Sequence, residues 1–383
     1  MSLQGVRTVA VLELRQRLRT SRWPVVMGIW FLVIGIVAGL TWWAVSSQPS
    51  EPATALGGGD RGTTLYDVVL FFVLGLGMLV VPSLTATSIN GDREHGVLAT
   101  LQTTLLTSAD IVVGKLVAAW AISLAFLLAA SPFLVWAWIA GGVEIGRMLL
   151  AVVVLTFVLA VICAVGLMFS ALTARTISSA VLTYLTVSAL TFGTVIAFLI
   201  TIPIMATEQS VRVRAIPDSW YQDHEPVPGT NATTSEPTAA DCVSVTRTQT
   251  TLHTERTWWL LALNPFVVVA DAAPSRKPLN YLGFEPLQAI SEGARTARMG
   301  MPAESANECW PELQKAELQS GQGQGKAVLS TEERLQRERL SRVQAVWPYG
   351  FVFLGLIGAG STWVAVRRLR TPIRKLPRGT RIA

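Results

Sequence analysis

Six stretches of this chain are apolar over some twenty residues or more and carry no charge at their centres: residues 24–45, 68–89, 112–139, 148–172, 179–206 and 347–366. About 20 apolar residues in a helix cross the hydrocarbon of a bilayer. Inside hydrocarbon a helix is one of only two structures that satisfy their own backbone, the other being a closed barrel. Overall composition points the same way: 51% of residues are hydrophobic and only 15% charged, where soluble domains run near 25% charged. The expectation is an all-α polytopic membrane protein with six transmembrane helices, five within residues 24–206 and the sixth at 345–366. The first run exceeds the 7–15 residues of a signal-peptide core, so it reads as a retained span.

Charge at the two ends sets the orientation. Residues 1–23 hold Arg7, Arg15, Arg17, Arg19 and Arg22 against the single acid Glu13, with Val9, Leu12, Leu14 and Leu18 in a partly amphipathic pattern. This is the composition of an interfacial helix, basic side to the lipid headgroups. The tail at 367–383 holds Arg367, Arg368, Arg370, Arg374, Lys375, Arg378 and Arg381 and no acid. Six spans return both ends to one side, and the positive-inside rule makes that side the cytoplasm of a cell-membrane protein. Arg93, Lys115 and Arg175 then also fall inside. The net charge of +6 belongs to these cytoplasmic edges rather than to nucleic-acid binding. Trp42, Trp43, Trp136, Trp138 and Trp347 fall near the outer ends, as an aromatic belt does.

Residues 207–344 form a polar insert placed outside by the same topology. Within it, residues 258–273 are apolar but too short to span and are broken at Asn264-Pro265, which suits a re-entrant or interfacial element. Residues 319–326 read as a flexible linker, and Ser330 with Glu333 as a capping box that opens a charged helix. Cys242 and Cys309 lie in this outer region, where a disulfide can form; two free thiols are the other reading. Cys163 sits alone in an apolar run.

The chemistry of an enzyme is missing. His95, His224 and His253 lie in separate segments, and no cysteine–histidine cluster has metal-ligand spacing. The nearest approach to a phosphate-binding loop, residues 320–327, has Ser320 where its first glycine belongs and Ala327 where a magnesium-binding hydroxyl belongs. No cofactor is expected in this chain. Nor does any span carry an ionisable residue at its centre, since Asp67 and Lys115 lie at edges. Ion-coupled transporters use such residues as relays, so a transporter built on this chain would need a partner for energy.

Between the second and third spans, residues 90–111 and the start of the third span break the apolar pattern. Asp92, Arg93 and Glu94 are three ionisable residues in a row, and each would cost about 2.5–3.5 kcal/mol at the centre of a bilayer. Leu98, Leu101, Leu105 and Val112 follow at spacings of 3, 4 and 7, the stripe of a surface helix with one apolar face. The segment resembles the cytoplasmic segment of ABC-2-type transporter permeases, approximately R-E-x-G-T-L-E-x-L-L-x-T-P-x-S…G-K. Arg93, Glu94, Gly96, Leu98, Thr104, Gly114 and Lys115 fall on that pattern in register, while Val97, Ala99 and Leu105 depart from it. An Asn-Pro element before the last span is a second point of resemblance. The likeness covers most of the membrane part and little of the insert.

The resemblance implies a permease subunit of an ABC exporter, working with a second permease copy or a related permease. An ABC ATP-binding subunit on the cytoplasmic side would hold the ATP and magnesium. It makes residues 90–111 a coupling helix, with Asp92, Arg93, Glu94, His95, Gly96, Leu98 and Leu101 as its contact residues. The alternatives are a solvated loop and, for the whole chain, a membrane scaffold or receptor with an outer binding region. Topology is the first thing to test. A reporter active only in the cytoplasm should work when fused after Ala383 and fail when fused after Gly323; the reverse result inverts the orientation.

Overall fold

The computed structural model describes residues 2–19, 22–47, 60–94, 106–223, 239–273, 285–300, 309 and 344–370. Among these residues six helices are long and apolar enough to cross a membrane. In chain order the elements begin with α1 (Leu3–Leu18), α2 (Arg22–Ser47), α3 (Asp60–Thr85) and the short α4 (Ser88–Glu94). They continue with α5 (Ser108–Ile139), α6 (Ile145–Leu172) and α7 (Thr176–Ser188), which passes through a π-helical turn (Ala189–Gly193) into α8 (Thr194–Ile204). Two strands follow, β1 (Ala206–Ala215) and β2 (Val243–Leu252), with α9 (Asp218–Asp223) between them. The last elements are α10 (Trp259–Ala262), α11 (Pro265–Ala272), α12 (Pro286–Met299) and α13 (Trp347–Leu369).

The chain divides into two compact units, one of residues 1–197, 259–294 and 345–383, the other of 198–258 and 295–344. In the first unit the spans built on α3, α5 and α6 are each 56% buried, whereas those of α2, α7–α8 and α13 are 17%, 11% and 22% buried. Three helices therefore make the core and three line its edge. Leu70 and Leu74 of α3, Ile122 and Phe126 of α5, and Leu155 and Leu159 of α6 meet at the centre. In lipid, burial of apolar surface does not drive helices together; close packing does, and it favours small residues at the crossings. Gly166 of α6 shows this, since a Cβ there would fall 2.0 Å from Thr85 Oγ1 of α3.

The Asn-Pro element belongs to this unit and is fastened by polar contacts. Asn264 caps α11 by accepting from the Phe266 amide at 2.9 Å, and Pro265 takes the first helical position, where no amide donor is needed. Asn264 Nδ2 donates to Thr191 O at 2.7 Å and to Thr194 Oγ1 at 3.1 Å. Thr191 lies in the π-helical turn. Such a turn disturbs the regular ladder of the helix, and π-turns are often found where a helix does something besides span.

Two buried carboxylates cap helices that start far away in sequence. Asp67 of α3 accepts from the amides of Leu287 and Gln288 at 2.9 and 3.1 Å, at the start of α12. Asp271 of α11 accepts from the Trp347 amide at 2.8 Å, at the start of α13, from the Val346 amide beside it, and from Ser291 Oγ at 3.1 Å. Unsatisfied amides at a buried helix start are costly, and a carboxylate also complements the positive end of the helix.

In the second unit, β1 and β2 pair antiparallel with Ala206 opposite Leu252 and Ala215 opposite Val243. An all-α reading has no place for this ribbon. Its cause is local: both segments are rich in Val and Thr, which favour strands. Cys242 and Cys309 are joined by a disulfide, their Cα atoms 6.0 Å apart, and pack with Ile216. Cys163 is a buried free thiol in the first unit. Helix α3 begins at Asp60, eight residues before the apolar run 68–89. The 319–326 linker and the Ser330–Glu333 capping box lie outside the described residues.

Replacing Asp271 with Ala removes the acceptor for both amides at the start of α13. Loss of a cap costs about 0.5–2 kcal/mol. Hydrogen exchange at Val346 and Trp347 should speed up more than at the centre of α13, and equal exchange in variant and wild type would refute the cap.

Candidate functional site

The segment singled out by its charges opens on α4, which is held directly by α5 and α6 and, through Lys115, by α1. At its start, the amides of Ile89 and Asn90 both donate to Ser170 Oγ of α6, at 3.0 and 3.2 Å. The Asn90 side chain is fully buried. The orientation that satisfies both its atoms has the amide nitrogen donating to Ser170 O at 2.7 Å and Thr173 O at 2.6 Å, and the oxygen accepting from Thr173 Oγ1 at 3.1 Å. Arg93 Nη1 donates to Thr173 O at 3.3 Å. Thr173 ends α6, and the last carbonyls of a helix lack internal partners and favour a cation. Asn90 and Arg93 thus tie α4 to the turn between α6 and α7.

On its other side α4 meets a buried cation. Lys115 lies two turns into α5, and its side chain is 1% exposed. Its Nζ pairs with Asp92 Oδ2 of α4 at 2.6 Å and with Glu13 Oε1 of α1, and donates to Ser88 O at 3.3 Å. Arg17 of α1 adds a longer contact to Glu13 Oε2, 3.7 Å, and donates to Leu84 O near the end of α3 at 2.9 Å. One ammonium therefore gathers carboxylates from two different helices, and a neighbouring guanidinium reaches a third.

Backbone proximity makes this geometry possible. A Cβ on Gly114 would fall 2.7 Å from Val9 Cβ and 3.0 Å from Val6 O. Glycine at this position lets α1 lie against α5, so that Glu13 can reach the residue next to Gly114. The crossing is pinned at its start as well. Thr107 and Asp110 form a reciprocal capping box at the beginning of α5, and Asp110 Oδ1 also accepts from the Ser2 amide of the α1 start at 2.8 Å.

The residues expected to contact a partner separate under this geometry. Asp92 and Arg93 turn toward the chain's own helices, with Asp92 still 24% exposed. Glu94 is exposed. His95, Gly96, Leu98 and Leu101 lie outside the described residues. Sequence reasoning marked Lys115 only as an edge residue on a pattern, and Glu13 only as the lone acid in a basic helix. Those two oddities, a cation inside an apolar run and an acid among arginines, were the available signals for the pair. Asn90, Ser170 and Thr173 gave none.

The arrangement ties separate helices to one another. Among the described residues no group of three or more His, Cys, Asp or Glu side chains could hold a metal ion. The cluster joins α1, α4 and α5 through charge, and α4 to the α6–α7 turn through hydrogen bonds. No known protein-family model matches the chain, and no curated protein matches it.

Lys115→Met leaves the buried Glu13 carboxylate with only the longer Arg17 contact. Breaking a buried pair from one side costs about 3–5 kcal/mol, so unfolding in detergent should occur at distinctly lower temperature or denaturant. Adding Glu13→Gln to Lys115→Met should recover part of the loss. Asp92→Asn should cost less, because Asp92 can turn to solvent. A Lys115→Met protein as stable as wild type would dissolve the cluster as a structural element.

Proposed function

We propose that this chain is the transmembrane permease subunit of an ABC-2-type transporter. It exports a substrate with ATP hydrolysed in a separate ATP-binding subunit. The observation that carries this reading is the combination at residues 90–115. A segment resembling the ABC-2 coupling region begins with a short helix whose side chains are fastened to α1, α5 and the α6–α7 turn. An element that must pass on a push needs such fastening; a solvated interhelical loop does not.

The mechanism follows from that attachment. The ATP-binding subunit docks on Glu94 and on the segment after it that includes His95, Gly96, Leu98 and Leu101. Closure of that subunit on ATP displaces α4. Arg93 and Asn90 carry the displacement to the α6–α7 turn, and Asp92 carries it through Lys115 to α5 and α1. The spans then move as rigid bodies and open a path outward, the kind of domain rearrangement that discrete packed interfaces support. Both termini lie in the cytoplasm in this scheme, and a second permease copy or a related permease completes the path. Asp92 and Arg93 act as internal transmitters, and Glu94 faces the partner.

The test uses the full chain copurified with its ATP-binding subunit. Glu94→Ala, and separately Leu101→Asp, should leave membrane insertion intact. They should abolish the response of ATPase activity to transported compound, or release the ATPase. If both variants keep the ATPase bound and fully responsive, residues 90–111 are a loop and the proposal fails. If no ATP-binding subunit copurifies with the wild type under conditions that preserve the fold, the chain serves as a membrane scaffold or receptor instead.

A further inference from the structure

Helix α1 has two faces with different tasks. One face, with Gly5, Val9, Ala10 and Glu13 buried, packs on α5 and feeds the Lys115 cluster. The arginines of the helix divide between the faces. Arg17 turns inward to Glu13 and Leu84. Arg7, Arg15 and Arg19 share the outer face with Gln4, Thr8 and Gln16. All three arginines are exposed, and none has a charged or hydrogen-bonding partner among the described residues. Glu13 is the only acid of α1, and it faces the other way.

The apolar residues beside these arginines decide what kind of surface this is. Leu3, Leu12 and Leu18 are 87%, 41% and 54% exposed. Arginines interleaved with exposed leucines suit the boundary between headgroups and acyl chains, where the leucines enter the apolar layer and the guanidinium groups stay with phosphate. Position agrees with chemistry. The candidate span Trp23–Ser47 starts within a few residues of the end of α1. Arg17 bonds near the end of α3, and Asp110 at the start of α5 bonds the Ser2 amide. Helix α1 is thus held at the level where neighbouring spans end.

We infer that the outer face of α1, through Arg7, Arg15 and Arg19, is a docking surface for anionic phospholipid headgroups. Guanidinium groups bind phosphate in forked geometry, and the side-chain amides of Gln4 and Gln16 are neutral donors beside them. The inference goes beyond the proposed transport role and needs only that α1 lies at a membrane surface. It gives the bilayer a direct hold on the helix whose other face supplies Glu13 to the buried lysine.

The experiment titrates the detergent-solubilised full-length protein with short-chain phosphatidylglycerol, and in parallel with short-chain phosphatidylcholine, and counts bound lipid by native mass spectrometry. The wild type should prefer phosphatidylglycerol, and the preference should fall as salt rises, because exposed charges are screened. Each basic residue near an anionic surface is worth about fivefold in binding. The triple variant Arg7→Gln, Arg15→Gln, Arg19→Gln should therefore lose roughly a hundredfold of the preference, with phosphatidylcholine binding and melting temperature unchanged. The triple Lys variant should keep most of it. Arg367→Gln with Arg368→Gln, at the end of α13, should leave it intact. Several outcomes would overturn the inference: no preference in the wild type, a preference that survives the triple Gln variant or high salt, or an equal loss in the α13 double variant. Competition by inorganic phosphate as effective as by the lipid would reduce the face to a simple anion site. Binding of polyglutamate in place of lipid would assign it to an acidic protein.

Discussion

A single ammonium group in a place closed to water organises one end of this protein. Lys115 cannot hydrate, being 1% exposed, and a buried charge is tolerated only when paired and hydrogen-bonded. Its partners come from helices that are separate in the chain, Glu13 from α1 and Asp92 from α4. The demand of one charge therefore fixes where α1 lies and where the chain goes after α3. Gly114 is the geometric condition, since a side chain there would push α1 out of reach of the lysine.

The same scarcity of water explains the other polar residues of the membrane unit. Helix ends carry unpaired amides and carbonyls, and within or near hydrocarbon these must find partners in the protein. Asp67 and Asp271 cap helices that begin more than seventy residues farther along the chain. Asn264 binds the π-helical turn after α7, and Ser170 receives two amides of α4. Each is a small polar residue beside apolar sequence, and each fastens one segment to another. The cluster under α4 and the caps around α11 obey one rule, although only the first touches the segment proposed to receive force from an ATPase.

Much of this was legible before any coordinates. Apolar length marked the six spans, and Asn264-Pro265 marked a break that the structure makes into a helix start. The cap itself could be foreseen, because Asn followed by Pro is a helix-opening pair whose partners are local. The β-ribbon was missed although its Val- and Thr-rich strands carried a local signal. A polar insert with alternating side chains was read by composition instead of by period. The roles of Asp67 and Asp271 were not visible, because a lone acid near an apolar run reads equally as an exposed edge.

From its sequence alone the chain could be assigned spans, their number and the charged break between the second and third, since each depends on residues that are neighbours in the chain. Hydrocarbon selects on length and polarity, and both are local quantities. Only the tertiary structure could decide that Glu13 faces Lys115, that Asp92 joins them, and that Arg17 turns inward while Arg7, Arg15 and Arg19 turn outward. Those assignments depend on which helices lie side by side. That in turn is set by close packing at Gly114 and Gly166 and by the pairing of charges that water cannot reach; one stretch of sequence can show a charge out of place, as at Glu13 and Lys115, but not the partner it meets.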